Sequence, residues 1–257
     1  MFLAIDVGNT NTVFALFDQA KLIQSWRMRT EPDRSKDEYA IFLGRLFELN
    51  SYKLSDVSDV YISSVVPETR FSLERFCSSY LDLEPVYVTK DVIDIEIDLL
   101  RPEDVGADRL LNAIAVKNEY DQVPAIVIDF GTATTFDVVD SKGRYAGGVI
   151  APGINLSLNA LHSAASKLPK VNIERIEKAT GKTTTEAMKA GLYWGYKGLI
   201  EGVLNQLIKE LEVDEKPLVL ATGGLAPLYA ENIDLIDKVD ADLTLKGLYQ
   251  IYEKQKV

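Results

Sequence analysis

Cysteine, histidine and positive charge are scarce in this 257-residue chain. The single cysteine, Cys77, leaves no internal disulfide and no thiolate metal cluster. A reducing cytoplasm is its simplest home. The single histidine, His162, means that a Ser-His-Asp or Cys-His machine could be built only around that residue. It stands in Asn159-Ala160-Leu161-His162-Ser163-Ala164-Ala165, a helical stretch with no nucleophile signature beside it, and reads as a surface or interface residue. Acid–base chemistry then falls to a carboxylate, a Lys or a Tyr. Lys and Arg number 28 against 39 Asp and Glu, a net charge of −11. That balance argues against a nucleic-acid partner, because phosphate backbones call for basic surfaces. It leaves room for a small anionic ligand, which a few local cations and backbone amides can serve. No apolar run reaches the length of a membrane span. The first residues, Met1-Phe2-Leu3-Ala4-Ile5-Asp6, have no basic stretch and read as a first strand, not a signal peptide. With 47% hydrophobic and 26% charged residues, the chain has enough apolar material for a substantial globular core.

One phrase is present twice. Asp6-Val7-Gly8-Asn9-Thr10-Asn11-Thr12, followed by Val13, recurs as Asp129-Phe130-Gly131-Thr132-Ala133-Thr134-Thr135. Each copy lies between two apolar runs, which spells strand, tight polar turn, strand. Glycine lets a backbone approach a phosphate closely and can adopt positive φ. Successive turn amides form a concave anion site, and Thr and Asn add donors. A carboxylate beside phosphate requires a cation between them, and Mg²⁺ is commonly held by one or two carboxylates plus phosphates and water. Two ordinary hairpin turns rich in Gly, Asn and Thr would explain either copy alone. The matched pair in matched contexts favours a metal-bound polyphosphate.

The order of elements also repeats. Strands are expected over residues 2–6, 12–18 and 21–29, then a helix over 36–49 with apolar residues at helical spacing. A buried strand over 57–65, a helix opened by Pro67, a strand over 85–89 and a helix over 104–120 follow. The second half restarts with strands over 125–129, 135–140 and 144–150. Helices over 154–167 and 185–211, a strand over 217–221, a short helix and a closing helix over 243–254 complete it. This predicts an α/β, duplicated fold with two lobes, 1–119 and 120–257, around a central cleft.

Four other patches stand out. Gly106-Ala107-Asp108-Arg109 opens a helix, where Asp108 could take a hydroxyl proton and Arg109 hold a carboxylate; an acid plus a solvated Arg is the plain alternative. Gly147-Gly148 within a strand suggests close backbone contact or a bulge. Thr222-Gly223-Gly224 after a strand suits a nucleotide base or sugar lying on bare backbone. Thr180-Gly181-Lys182-Thr183-Thr184 is no P-loop, because Ile176 stands where that motif needs Gly. It reads as a hydroxyl-rich helix cap or a substrate-contacting turn.

Together these strings, with Gly147-Gly148-Val149-Ile150-Ala151-Pro152-Gly153, Lys167-Leu168-Pro169 and Ala221-Thr222-Gly223-Gly224-Leu225-Ala226, resemble the type III pantothenate kinases over essentially the full length. These are members of the actin-like, acetate and sugar kinase superfamily. The resemblance implies the duplicated actin-like ATPase (ribonuclease H-like) fold and ATP-dependent phosphorylation of pantothenate to 4′-phosphopantothenate, the first step of coenzyme A synthesis. It implies ATP phosphates and Mg²⁺ at Asp6, Val7, Gly8, Asn9, Thr10, Asn11, Thr12 and Val13, and ATP also at Thr132. The nucleotide reading of Gly223 and Gly224 fits this. Pantothenate would lie at Gly106, Ala107, Asp108, Arg109 and Thr184, with Asp108 as general base. K⁺ or NH₄⁺ would sit at Asp129, and a homodimer would carry the substrate pocket at its interface. The chain departs from common family patterns at Leu99 (often Tyr), Ala164 (often Arg) and Val13 (sometimes Lys). Rival expectations are another small-metabolite kinase of this fold, a non-catalytic accessory or regulatory relative, and an actin-like assembly ATPase.

Overall fold

The computed structural model describes residues 1–120, 122–165, 168–213 and 215–256. Contacts group them into two units, each discontinuous in sequence. One comprises Met1–Ile95, Arg101–Ala115 and the C-terminal segment from Leu243; the other comprises Glu96–Leu100 and Val116–Asp242.

In the first unit, β1 (Phe2–Val7), β2 (Asn11–Asp18) and β3 (Lys21–Arg29) form an antiparallel meander. Two further strands, β4 (Asp59–Ser64) and β5 (Val86–Tyr87), run parallel to β1, giving the order β3-β2-β1-β4-β5. Helix α1 (Lys36–Leu49) starts at a capping box, in which Ser35 Oγ accepts from Glu38 N and Glu38 accepts from Ser35 N. Its apolar positions Tyr39, Leu43 and Phe47 recur every four residues and are buried against Leu3, Ile5, Phe14 and Ile62 of the sheet. Helix α2 (Arg70–Phe76) continues from a 3-10 turn opened by Pro67 into a π turn at Cys77–Leu81. Cys77 is fully buried, and burial pushes its thiol up to about 12, so it stays a neutral core residue. The opposite face of the sheet receives α7 (Leu243–Gln255) through stacked rings: Phe2 on Tyr252 and Phe17 on Tyr249.

The second unit repeats this plan. Strands β6 (Ala125–Phe130), β7 (Ala133–Val139) and β8 (Tyr145–Pro152) form the meander. Parallel to β6 lie β9 (Leu218–Gly223) and then β10 (Lys238–Val239), in the order β10-β9-β6-β7-β8. The strand senses match the first sheet one for one. Helices α4 (Ile154–Ala164), the 27-residue α5 (Thr184–Glu210) and α6 (Ala226–Ala230) accompany it, with Tyr193, Tyr196, Ile200 and Leu204 of α5 in the core. Helix α3 (Ala107–Glu119) counts with the first unit up to Ala115 and with the second from Val116. No helix among the described residues is long and apolar enough to cross a membrane.

Most expected elements are present within a few residues of their anticipated ends. The strand expected over 85–89 shortens to two residues, and β10 was not anticipated. The helix expected over 154–167 ends at Ala164, and residues 166 and 167, including Lys167 of the Lys-Leu-Pro string, lie outside the described residues.

Candidate functional site

The two turns are built alike. Asp6 is second from the end of β1, pairs Val13 across the antiparallel ladder and Ser63 across the parallel one. Asp129 holds the same place in β6, opposite Thr135 and Thr222. Both carboxylates are therefore carried on a central strand, at the end where the chain turns. In each turn the glycine closes the loop: Gly8 N donates to Asn11 O at 3.0 Å and Gly131 N to Ala133 O at 3.1 Å. Neither glycine takes a positive φ, contrary to one of the two reasons offered for a glycine there; a Cβ at either would approach the accepting carbonyl at 3.3 Å, so the value of each lies in space.

The third strand of each meander braces its turn, a device the sequence reading missed. Thr30, just after β3, donates from its backbone to Thr10 O at 3.0 Å; Gly153, just after β8, donates to Thr132 O at 3.1 Å. Thr30 Oγ1 also donates to Gly8 O at 2.7 Å, so the buried Thr12 hydroxyl, 2.9 Å away, donates to Thr30. Thr134 is likewise buried and hydrogen-bonded to Tyr196 of α5. These inward hydroxyls fix the turn shape, while Asn9, Thr10, Asn11 and Thr132 are left exposed.

Two sequence motifs meet in the second unit. Gly223, at φ +87°, lies so close to the second turn that a Cβ there would sit 2.7 Å from Asp129 Oδ1. The bare backbone after β9 therefore abuts the Asp129 carboxylate, with Gly224 exposed beside it. Gly153 is as tightly placed, its missing Cβ falling 2.2 Å from Thr132 O.

Asp108 stands in the first turn of α3, half-buried with Gly106, Ala107 and Arg109. Its Oδ1 accepts from Arg109 N at 2.9 Å and covers Gly106, where a Cβ would lie only 2.4 Å away. Gly147-Gly148 form an irregularity opposite Asp137, whose carboxylate accepts from Tyr145 and Thr135. Leu99 packs its Cδ2 onto Gly147, the Cβ position being 3.2 Å away. Segment 96–100 is held there by Arg144, which bridges Asp98 at 2.9 Å and Asp140 at 2.7 Å. Thr184 is exposed at the start of α5, next to Thr183, whose hydroxyl caps the helix by accepting from Glu186 N at 3.2 Å. The cap reading of that hydroxyl-rich stretch is thus borne out for Thr183. His162 is exposed in the last turn of α4, and its Nδ1 is hydrogen-bonded to Leu168 O. No cluster of three or more His, Cys, Asp or Glu suited to a metal occurs among the described residues. A divalent ion at Asp6 would take one carboxylate and complete its shell from phosphates and water, a donor set that suits Mg²⁺.

The sequence profile of the type III pantothenate kinases matches residues 2–206. The chain belongs to that family. It is 50% identical to the type III pantothenate kinase of Paramagnetospirillum magneticum over 99% of this chain and 97% of that one. It is 42% identical to that of Bacillus cytotoxicus over 100% and 97%. Among solved structures, the ethanolamine utilization protein EutJ of Carboxydothermus hydrogenoformans aligns with a TM-score of 0.56 at 15% identity, covering 96% of this chain and 88% of that one. The inorganic polyphosphate/ATP-glucomannokinase of Arthrobacter sp. strain KM aligns at 0.50 and 15%, covering 98% of each. Those likenesses concern the fold, the duplicated α/β fold of actin-like ATPases and sugar kinases. For a type III family member, the departures fall at defined places: Leu99 on Gly147, Ala164 exposed at the end of α4, and Val13 half-buried opposite Asp6.

Proposed function

We propose that this protein transfers the γ-phosphoryl group of ATP to pantothenate, forming 4′-phosphopantothenate for coenzyme A synthesis. The observation that carries this reading is the matched pair of braced turns, each with one carboxylate at the end of a central strand. Phosphoryl transfer needs positioning and charge neutralisation more than covalent help. The exposed residues 9–11, with Thr132, contact the phosphates, Gly8 closes the turn beneath them, and bare backbone at Gly223 and Gly224 receives the adenosine. Val7 and Thr12, paired across the ladder, and Val13, paired with Asp6, flank the first turn as the rest of its ATP-binding stretch. Mg²⁺ held through Asp6, with K⁺ or NH₄⁺ at Asp129, supplies positive charge that this acidic chain does not.

Gly106, Ala107, Arg109 and Thr184 bind pantothenate, with Arg109 opposite its carboxylate. The Asp108 carboxylate orients the primary hydroxyl of pantothenate and accepts its proton as the oxygen attacks phosphorus. Its contact with Arg109 N restrains the rotamer before substrate arrives. A cytoplasmic location belongs to the same proposal.

A homodimer completes it. Helix α5 presents Gly191, Gly195, Gly198 and Gly202, four, three and four residues apart, as an exposed stripe with nothing within 4 Å of their missing side chains. Such a stripe supports close approach of a second copy.

The test is product formation with pantothenate and MgATP in potassium and in sodium buffer, with Asp108→Asn alongside. Phosphopantothenate in potassium alone, reduced about 100-fold or more in the variant, is the expected result. No product in either buffer from folded, nucleotide-binding protein would overturn the reading.

A further inference from the structure

Strand β4 carries two adjacent serines with different fates. Ser64 is satisfied locally: its hydroxyl donates to Val66 O at 3.2 Å and accepts from Val66 N at 3.1 Å. Ser63 is 1% exposed, and its Oγ has no hydrogen-bond partner. Leaving a buried hydroxyl unsatisfied costs about 1–3 kcal/mol, so a partner from outside the free protein is expected.

The ladder shows where that partner belongs. Val60 and Ile62 of β4 face the core under α1 and α2, as do Leu3 and Ile5 of β1. The alternate positions face the other way, where the Phe2 and Tyr61 rings lie 5.5 Å apart. Ser63 and Asp6 are the next alternate pair, in direct register on neighbouring strands roughly 4.8 Å apart. The second unit repeats the pairing with Asp129 and Thr222, the latter also buried.

We propose that Ser63 is a positioning residue for Asp6, completing its hydrogen bonding only when a metal–nucleotide is bound and thereby holding the carboxylate in its metal-binding orientation. This rests on the reading of Asp6 as the carboxylate nearest Mg²⁺–ATP. Thr222 is the corresponding residue beside Asp129.

The test is calorimetric titration of wild type, Ser63→Ala and Ser63→Thr with ADP, once with excess Mg²⁺ and once with EDTA, together with melting temperatures. Ser63→Ala should weaken MgADP binding about tenfold, the equivalent of one hydrogen bond. It should leave metal-free ADP binding unchanged and not lower the melting temperature. Ser63→Thr, which keeps the hydroxyl and matches position 222, should restore MgADP binding. Equal effects with and without Mg²⁺, no effect, or a lower melting temperature with unchanged Mg²⁺ dependence would each overturn the proposal. Asp6→Asn separates the two levels. If that variant keeps the wild-type Mg²⁺ dependence, the reading of Asp6 itself fails and the role of Ser63 falls with it.

Discussion

At the scale of single residues, close approach of backbone shapes the site more than charge does. Gly223 is the sharpest case, since it has both a positive φ and no room for a Cβ beside Asp129 Oδ1. Gly223→Ala should therefore act twice. The left-handed backbone would destabilise the protein by about 1–3 kcal/mol, measurable by urea denaturation. The added methyl would also press on the Asp129 carboxylate and the Phe130 backbone, and with the cation at Asp129 as proposed it should raise the potassium concentration needed for half-maximal activity. A variant that loses stability but keeps the wild-type potassium response would detach Asp129 from the cation. Gly8 and Gly131 differ from Gly223, because their φ is not positive and a Cβ there would meet ordinary, if tight, contacts. No single-residue feature of the sequence separated these cases. Whether a glycine is needed for φ or for space depends on what the fold brings against it.

At the scale of elements, the strands and helices were largely legible because hydrophobic period and caps are local. Ser35 with Glu38 and Pro67 mark helix starts through contacts made within a few residues. What was hidden was the set of pairings between distant segments. Thr30 gives no sign in sequence that it braces residue 10, and nothing local says that α7 stacks on Phe2 and Phe17. The same holds for segment 96–100, which is drawn to β8 by Tyr145 and by Arg144. This tether has a predictable acid limit. Burial raises the Asp140 pKa, but hydrogen bonds from the backbone and side chain of Arg144 and from Lys142 N outweigh it and hold the carboxyl below its ordinary range. A folded-state pKa below the unfolded one means that the unfolded chain binds more protons. The stabilisation is thus complete above about pH 4 and is lost as pH falls through the lowered folded value. Asp140→Asn should remove that share of the pH dependence and lower stability at neutral pH. Urea midpoints between pH 3 and pH 7 would check it; parallel curves for wild type and variant would show that the tether does not depend on this charge.

For the whole molecule, the stripe on α5 poses a question of energy. Each interior helix glycine costs roughly 1 kcal/mol relative to Ala, so four of them weaken α5 considerably. A free surface offers no return for that cost, because Ala would be equally soluble there. A second helix lying against bare backbone does, through contacts that side chains would block. Half-exposed Trp194 and Leu161 add apolar surface in the same unit. If a second copy packs on this stripe as proposed, Gly195→Leu should reduce self-association in sedimentation velocity, and it should raise the KM for pantothenate if the substrate pocket depends on that contact. Gly195→Ala sets two effects against each other. It should raise the intrinsic stability of α5 by about 1 kcal/mol while weakening self-association, because even a methyl holds two backbones apart. Opposite signs in melting temperature at low protein concentration and in dimer dissociation constant would be hard to obtain from a helix that merely faces water. If Gly195→Leu associates as wild type does, the glycines must be explained by something other than a second copy.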